Sequence, residues 1–109
     1  MNESQPDLGN IVRTWTGWIR TKDRDAYRDY VEETGISEYR NTPGNLGAQL
    51  MYRDLPDNRT EIVTTSVWDS LDSIRAFAGD DINVAVFYPN DDKYLLDREE
   101  TVRHYEIAG

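Results

Sequence analysis

The chain has 109 residues and a formal net charge of −9, so it is long enough for one domain and lacks the basic footprint that a nucleic-acid partner requires. It contains no cysteine and a single histidine, which excludes disulfides, thiolate catalysis and a multi-histidine metal site within one chain. No apolar run approaches transmembrane length and the polar first ten residues do not resemble a signal peptide, so we expect a cytoplasmic protein without a membrane partner.

The chain divides into a short polar segment and one domain. We expect residues 1–10 to form a flexible tail and residues 11–107 to form the domain. Residues 11–19 are rich in β-branched and aromatic side chains and predict the first strand. Neither face of this strand is cleanly polar, which indicates that both faces are covered.

A helix is predicted after this strand. Thr21 is placed to cap a helix that begins near Lys22, and Gly35 is a plausible stop. Four side chains recur at helical spacing and predict the packing face: Tyr27, Tyr30, Val31 and Thr34.

Two further strands and a second helix follow. Residues 46–53 and 61–68 predict strands joined by a hairpin-like connection at 55–59. Asp69 and Ser70 can cap a short helix, whose predicted buried stripe consists of Leu71, Ile74, Phe77 and Ala78.

The last third of the chain has a weaker pattern. Residues 82–88 are apolar enough for another helix, which Pro89 would end. Residues 91–96 predict an irregular segment or a single turn, and residues 101–107 predict the closing strand. The acidic pairs at 80–81 and 91–92 lack a convergent third ligand, so we interpret them as solvated charge rather than a metal site.

The element order is β-α-β-β-α-β, which predicts an α+β fold of the ferredoxin-like type with helices on one face of an antiparallel sheet. The other face carries too many apolar side chains for water. A second copy of the chain is the simplest cover, because most oligomers are symmetric and dimers are the commonest. We therefore predict a homodimer.

Several segments together resemble a known family. Residues 67–71, Val-Trp-Asp-Ser-Leu, end a strand and open a helix that continues through Ser-Ile-Arg-Ala-Phe at 73–77, and the closing strand holds Arg-His-Tyr-Glu-Ile at 103–107. With the tyrosine-rich first helix, these residues resemble the antibiotic biosynthesis monooxygenase family of the dimeric α+β barrel superfamily over residues 11–107. The resemblance implies a ligand cavity in each subunit between sheet and helices, lined by Trp68, and a barrel formed by two sheets.

The family includes cofactor-free oxygenases of polycyclic aromatic substrates and haem-degrading enzymes, and the chain departs from both patterns. Oxygenases that convert anthrones to quinones often carry an asparagine four residues before the family tryptophan, where this chain has Thr64. Haem-degrading members place a histidine on the following helix and an asparagine in the first strand, whereas residues 71–79 contain no histidine and residues 11–19 no asparagine. We therefore expect no cofactor and disfavour haem.

Cofactor-free oxygenation needs a dry apolar pocket, a base and donors for an oxyanion. His104 is the candidate base, with Trp68 and Arg13 as further catalytic candidates. Arg53 is a further candidate donor. The candidate substrate-binding residues are Trp15, Phe77, Phe87 and Tyr88, and Trp18 is a further candidate for an apolar wall.

Each candidate also has a structural interpretation. The tryptophans can fill the core or a dimer interface, and His104 can be a hydrogen-bonded strand residue. Arg13 either pairs with a carboxylate, Glu106 or Glu61, or faces a ligand. Three hypotheses follow: a cofactor-independent monooxygenase of a small aromatic or polyketide-like substrate, a non-catalytic small-molecule binder on the same scaffold, and a haem-handling protein using His104.

Overall fold

The computed structural model describes residues 9–109, so most of the expected tail, residues 1–8, lies outside the described residues. The last two residues of that predicted segment pair with the end of the domain. The Gly9 amide donates to the Ile107 carbonyl at 3.0 Å, and the Ile107 amide donates to the Asn10 carbonyl at 2.8 Å.

Within residues 9–109 the structure contains five strands and four α-helices. The strands are β1 (Ile11–Arg20), β2 (Asn45–Leu55), β3 (Arg59–Trp68), β4 (Leu95–Arg98) and β5 (Arg103–Glu106). The helices are α1 (Arg24–Val31), α2 (Ser37–Asn41), α3 (Leu71–Ala78) and the single turn α4 (Asp91–Tyr94).

All strand pairs are antiparallel, and β1 is the central strand. One edge of β1 pairs with β3 along its whole length, from Ile11 opposite Trp68 to Arg20 opposite Arg59. The other edge pairs with β5 in its first half and with β4 in its second half, and β2 lies outside β3. This α+β, ferredoxin-like arrangement confirms the predicted fold class.

The first helical segment is longer than predicted. Gly35 does not end it, because the chain passes from α1 through a π-helical turn at Glu32–Ile36 into α2. Thr21 does not cap α1 either. Its hydroxyl hydrogen-bonds to Thr60 at 2.9 Å, which ties the end of β1 to the start of β3.

The predicted helix at 82–88 is wrong. These residues run as an irregular segment whose backbone pairs with the stretch before β5: the Ala85 amide donates to the Glu100 carbonyl, and the Val102 amide donates to the Asn83 carbonyl. These hydrogen bonds to residues 100–102 satisfy backbone groups that, in a helix, would bond to each other. The predicted closing strand is also shorter than expected, and β4 precedes it as a strand that the pattern did not predict.

The two faces of the sheet differ in cover. The helices and the 82–88 segment pack on one face, where alternate residues of β1 and β3 are buried: Arg13, Trp15, Gly17, Ile19, Thr60, Ile62, Thr64, Ser66 and Trp68. Side chains on the opposite face, such as Trp18 and Val63, stay partly exposed. The core and the cavity described below therefore lie on the helical side of the sheet.

Candidate functional site

A cavity lies on the helical side of the sheet, between β1 and β3, the helical segment α1–α2, and the irregular segment at 85–88. The space in which the centre of a water molecule can move is about 50 Å³, enough for a few waters. Its lining is mostly aromatic and aliphatic: Trp15, Tyr27, Val31, Thr34, Gly35, Ile36, Tyr39, Thr64, Phe77, Ala85, Val86, Phe87, Tyr88, Asp91 and Val102.

Trp15 lines the cavity from β1. Its indole N–H donates to the Glu99 carbonyl at 2.7 Å, and Phe87 contacts it edge-on with ring centroids 6.0 Å apart. A Cβ atom at Gly17 would lie 2.5 Å from Cη2 of this indole. Glycine at position 17 is therefore what allows the indole to lie along β1.

The π-helical turn forms the part of the cavity wall that lies next to Tyr88. It brings Thr34, Gly35 and Ile36 to the cavity, while the Thr34 hydroxyl donates to the Tyr30 carbonyl at 2.8 Å. Gly35 lies close to the ring of Tyr88. Such turns interrupt α-helices at a cost in regularity and are frequent at functional sites, which supports a binding role for this cavity.

Asp91 contributes a buried carboxylate to this lining. Only 6% of the residue is exposed. The interpretation of the pair at 91–92 as solvated charge is therefore wrong for Asp91, whereas it holds for Asp92, which is exposed. The turn of α4 directs Asp91 inward, where Oδ1 accepts from the Tyr27 hydroxyl at 3.2 Å and Oδ2 accepts from the Tyr88 amide at 2.7 Å.

Burial raises the pKa of Asp91 above its ordinary value, and the two donors oppose this rise only in part. Burial, with the negative charge of Asp91 beside it, also raises the pKa of Tyr27. Tyr27 therefore remains a neutral donor while Asp91 can take up a proton. A carboxylate with a raised pKa in an apolar cavity is the pattern of a general base.

The four predicted substrate-binding residues, Trp15, Phe77, Phe87 and Tyr88, all line this cavity. The hydroxyl of Tyr88 is buried and makes no hydrogen bond of ordinary geometry within the described residues, although the carboxyl group of Glu38 lies near it. Burial, with the negative charge of Glu38 beside it, raises the pKa of this phenol, so it stays protonated as a donor. A ligand oxygen in the cavity would compete with Glu38 for this hydroxyl.

The three predicted catalytic residues do not line the cavity. Arg13 is 1% exposed and donates from one guanidinium nitrogen to the Ile82 carbonyl at 2.5 Å, with Nε2 of His104 at 3.0 Å from the same nitrogen. Neither expected carboxylate pairs with it, because Glu61 pairs with Arg53 at 2.8 Å and Glu106 is exposed at the end of β5. Arg53 itself lies on the face of the sheet away from the cavity, since it is opposite Glu61 in the ladder.

Trp68 is fully buried beside the cavity rather than in its wall. Its indole N–H donates to the Ser66 hydroxyl at 2.8 Å, and its ring packs against Tyr39 and Phe77 with centroids 5.7 and 6.0 Å away. Thr64, at the position where the anthrone oxygenases carry asparagine, is 7% exposed and does line the cavity.

Removal of the Tyr27 hydroxyl tests the coupling to Asp91. In Tyr27→Phe, Asp91 loses one of the two donors that lower its pKa, so this pKa is expected to rise further, with a stability loss of about 1 kcal/mol. Carboxyl-detected NMR titration measures the pKa. Tyr105→Phe, at an exposed position on β5, is the matched control, and an unchanged Asp91 titration in Tyr27→Phe would contradict the assigned hydrogen bond.

Comparison with solved structures identifies the same fold in several bacterial proteins. Three carry the name "putative antibiotic biosynthesis monooxygenase". They include one from Bacillus cereus (TM-score 0.65, 13% identity, covering 92% of this chain and 94% of that one) and one from Nitrosomonas europaea (0.58, 13%, 96% and 94%). A Mycobacterium tuberculosis protein gives a TM-score of 0.61 at 17% identity, covering 92% and 96%. These likenesses confirm the resemblance at the level of the fold.

Comparisons of the sequence itself add no closer relative. No family model matches the chain, and no curated protein matches it significantly. Across residues 9–109, no helix is long and apolar enough to cross a membrane. In the same range, no group of three His, Asp or Glu side chains is placed to hold a metal ion.

Proposed function

We propose that the chain is a cofactor-independent monooxygenase that oxidises a small aromatic substrate with O2 in the cavity between the sheet and α1–α2. The observation that carries this proposal is the buried carboxylate of Asp91 in the wall of an otherwise aromatic and aliphatic cavity. The names of three structures that share the fold support the reaction class.

The chemistry needs a substrate that becomes electron-rich when it loses a proton. A hydroxynaphthalene is an example: 1-naphthol and O2 give 1,4-naphthoquinone and water. One oxygen atom forms the new carbonyl, and the other leaves as water with the hydroxyl hydrogen and the ring hydrogen. The substrate supplies all four electrons, so the balance needs no external reductant.

The residues of the cavity have distinct roles in this proposal. Asp91 accepts the substrate proton, and the hydroxyl of Tyr88 donates to the oxyanion that forms. Trp15, Phe77 and Phe87 hold the ring and exclude water, which strengthens both interactions. The space is far below the several hundred Å³ of a typical ligand site, so we expect a substrate of one or two rings that displaces part of the wall.

Oxygen uptake tests the proposal. Purified protein is mixed with phenols, naphthols and an anthrone in air-saturated buffer containing a chelator, and oxygen is followed with an electrode. We expect substrate-dependent uptake with one O2 consumed for each quinone formed. Uptake no faster than in protein-free buffer for every substrate would contradict the proposed reaction.

A non-catalytic small-molecule binder is the second candidate. The observation that favours it is that His104 and Arg13 are engaged with each other and do not reach the cavity. A binder would take up the same aromatic molecules without consuming oxygen. Isothermal titration of 1-naphthol under argon, compared with uptake in air, separates the two functions.

The residues of the cavity do not fit haem. Its lining contains no histidine, and Nε2 of His104 is occupied by Arg13 outside the cavity. We therefore write the proposed reaction without haem. A haemin titration that shifts the Soret band in the wild-type protein and not in His104→Ala would contradict this part of the proposal.

We further propose that the chain acts as a homodimer formed through the open face of the sheet; a cytoplasmic location stays a prediction from the sequence. This face presents partly exposed apolar side chains, including Trp18, Val63, Met51 and Tyr105. Two copies that bury these faces against each other form an isologous interface.

Sedimentation at micromolar concentration tests the dimer. The mass is expected to be twice the 12.7 kDa of one chain, and Val63→Lys is expected to give the monomer because it places a charge in the apolar face. Leu71→Lys is the control that retains the dimer, because Leu71 of α3 is exposed and its predicted place in the buried stripe of that helix is wrong. A wild-type chain that sediments as a monomer would contradict the proposal.

A further inference from the structure

Arg13 is a buried cation without a carboxylate partner. Within the described chain no Asp or Glu lies within ion-pair distance of it. Its two terminal nitrogens are instead held by three neutral acceptors, the carbonyls of Ile82 and Val84, at 2.5 and 3.3 Å, and the ring of His104 at 3.0 Å, whereas its Nε has no partner within the described residues. A buried charge is costly unless its hydrogen bonds are made, so these contacts are important to the fold.

The contact between Arg13 and His104 defines the state of the imidazole. A guanidinium nitrogen can only donate, so Nε2 of His104 must accept, and the ring is neutral with its proton on Nδ1. The two residues are directly opposite each other in the β1–β5 ladder, so the backbone fixes their proximity. Protonation of Nε2 would place two cations and two donors against each other in a partly buried site.

Arg13 links His104 to the wall of the cavity. The two carbonyls that it binds, Ile82 and Val84, belong to the segment that continues into the lining residues 85–88. The guanidinium also lies over the ring of Phe77, another lining residue, with its carbon 5.8 Å from the ring centroid. At residues 83–85 the segment is also held by backbone bonds to residues 100–102, and at its far end Phe87 packs against Trp15 and the Tyr88 amide donates to Asp91. Arg13 is therefore the side chain that anchors the first half of the segment.

We propose that Arg13 and His104 form a pH-sensitive latch, which holds the 82–88 segment against the cavity while His104 is neutral and loosens the segment when His104 is protonated. Both are positioning residues, because they act on the cavity through this segment. The proposed function gives the latch its use as a control of substrate access, but loosening is measured on the unliganded protein, so the two proposals fail independently.

The charged surroundings of His104 favour the neutral ring. Burial lowers the pKa of His104 below its ordinary value, and the charge of Arg13 on β1 lowers it further. The other charged side chains of the neighbouring elements are exposed: Asp80 and Asp81 at the start of the segment, Arg75 on α3, and Arg103 and Glu106 on β5. Arg103 is also paired with Glu99, and Arg75 with Asp72.

The direction of the pH effect follows from this lowered pKa. We call the state with the 82–88 segment held against the cavity closed, and the state with the segment loosened open. In the open state His104 regains an ordinary pKa near 6.5 and binds a proton more readily than in the closed state. Between that value and the lower pKa of the closed state, each fall of one pH unit is expected to increase the open population by up to tenfold. Above pH 7 the population of the open state is constant.

Amide hydrogen exchange followed by NMR tests the latch. Protection of the Ala85 and Val102 amides, which bridge the 82–88 segment and residues 100–102, is measured from pH 7.5 to 5.0 relative to amides of the β1–β3 ladder. Wild-type protection is expected to fall by up to tenfold per pH unit below 6.5. In His104→Gln, whose neutral amide oxygen can still accept from Arg13, protection is expected to stay constant.

Two further measurements keep the test decisive. Asp91→Asn should retain the wild-type pH dependence, which separates the effect of His104 from that of Asp91, the buried carboxylate that binds the Tyr88 amide and whose pKa is raised by burial. Nitrogen NMR of His104 should show the proton on Nδ1 at pH 7.5, even if His104→Gln does not fold. Constant wild-type protection across the range, the same fall in His104→Gln, or a proton on Nε2 at pH 7.5 would overturn the proposal.

Discussion

The substitution Asp91→Asn is expected to lower substrate-dependent oxygen uptake by a factor of about 10²–10⁴, the usual contribution of a general base. The amide has the shape of the carboxylate and can keep both hydrogen bonds. Its oxygen accepts from the Tyr88 amide, while its nitrogen donates to the Tyr27 oxygen, since the tyrosine hydroxyl can reverse its role. The loss of activity therefore reflects the missing base rather than a disturbed fold.

Asp92→Asn is the matched control for this substitution. Asp92 is the next residue of α4, is exposed and pairs with Arg98, so its replacement is expected to leave oxygen uptake unchanged. Oxygen-electrode rates for the two variants and the wild type give the comparison. Equal losses in both variants, or full activity in Asp91→Asn, would contradict the assignment of Asp91 as the base.

The same carboxylate predicts an unusual pH dependence of stability. Because burial raises the folded-state pKa of Asp91, the folded protein binds this proton more tightly than the unfolded chain does. The stabilisation from the protonated form is full below the unfolded pKa, near 3.9, and is lost as pH rises through the folded pKa. Urea unfolding should therefore show Asp91→Asn to be at least as stable as the wild type at pH 7, whereas activity requires the ionised form.

Replacement of Trp68 by alanine is expected to reduce the free energy of unfolding by about 3–5 kcal/mol. The indole is fully buried against Tyr39 and Phe77. Its removal leaves a cavity and deprives the buried hydroxyl of Ser66 of its hydrogen-bond donor. Urea denaturation measures the loss. The effect is large because a domain of this size has a total stability of about 5–15 kcal/mol.

Two further substitutions define the role of Trp68. Trp68→Phe keeps an aromatic ring and loses the hydrogen bond to Ser66, so we expect a smaller loss of about 1–2 kcal/mol with affinity for an aromatic ligand nearly unchanged. Leu71→Ala, at an exposed position of α3, is the control for stability. If Trp68→Phe remained fully stable and lost the ligand, Trp68 would belong to the binding site and its assignment to the core would be wrong.

The strands β1, β2 and β3 and the helix α3 were predictable because their signals are local, whereas β4 was missed. Alternating β-branched and aromatic residues mark β1 and β3, and Ser70 caps α3 by accepting from the Ser73 amide as expected. The helical segment after β1 was predicted to stop too early, since Gly35 permits a turn but does not impose one. The 82–88 segment was assigned to a helix because a short apolar run has the same composition in a helix and in an extended wall.

In the candidate site, too, some residues were predictable from the sequence and others were not. Aromatic residues suitable for a wall could be named from composition, and Trp15, Phe77, Phe87 and Tyr88 do meet in one cavity. Asp91 could not be separated from Asp92, because only the inward turn of α4 distinguishes a buried carboxylate from an exposed one. His104 was selected for its ordinary chemistry, whereas its partner, Arg13, is brought opposite it by strand pairing between distant parts of the chain.

The most direct test of the proposed cavity is the location of a bound aromatic molecule. Titration of 1-naphthol into 15N-labelled protein under argon prevents oxidation, so the unreacted complex can be observed. Amide shifts are expected at Thr34, Gly35 and Thr64 and along 85–88, with little change on the open face of the sheet. Shifts confined to that open face, or no saturable shifts at all, would show that this cavity is not the site.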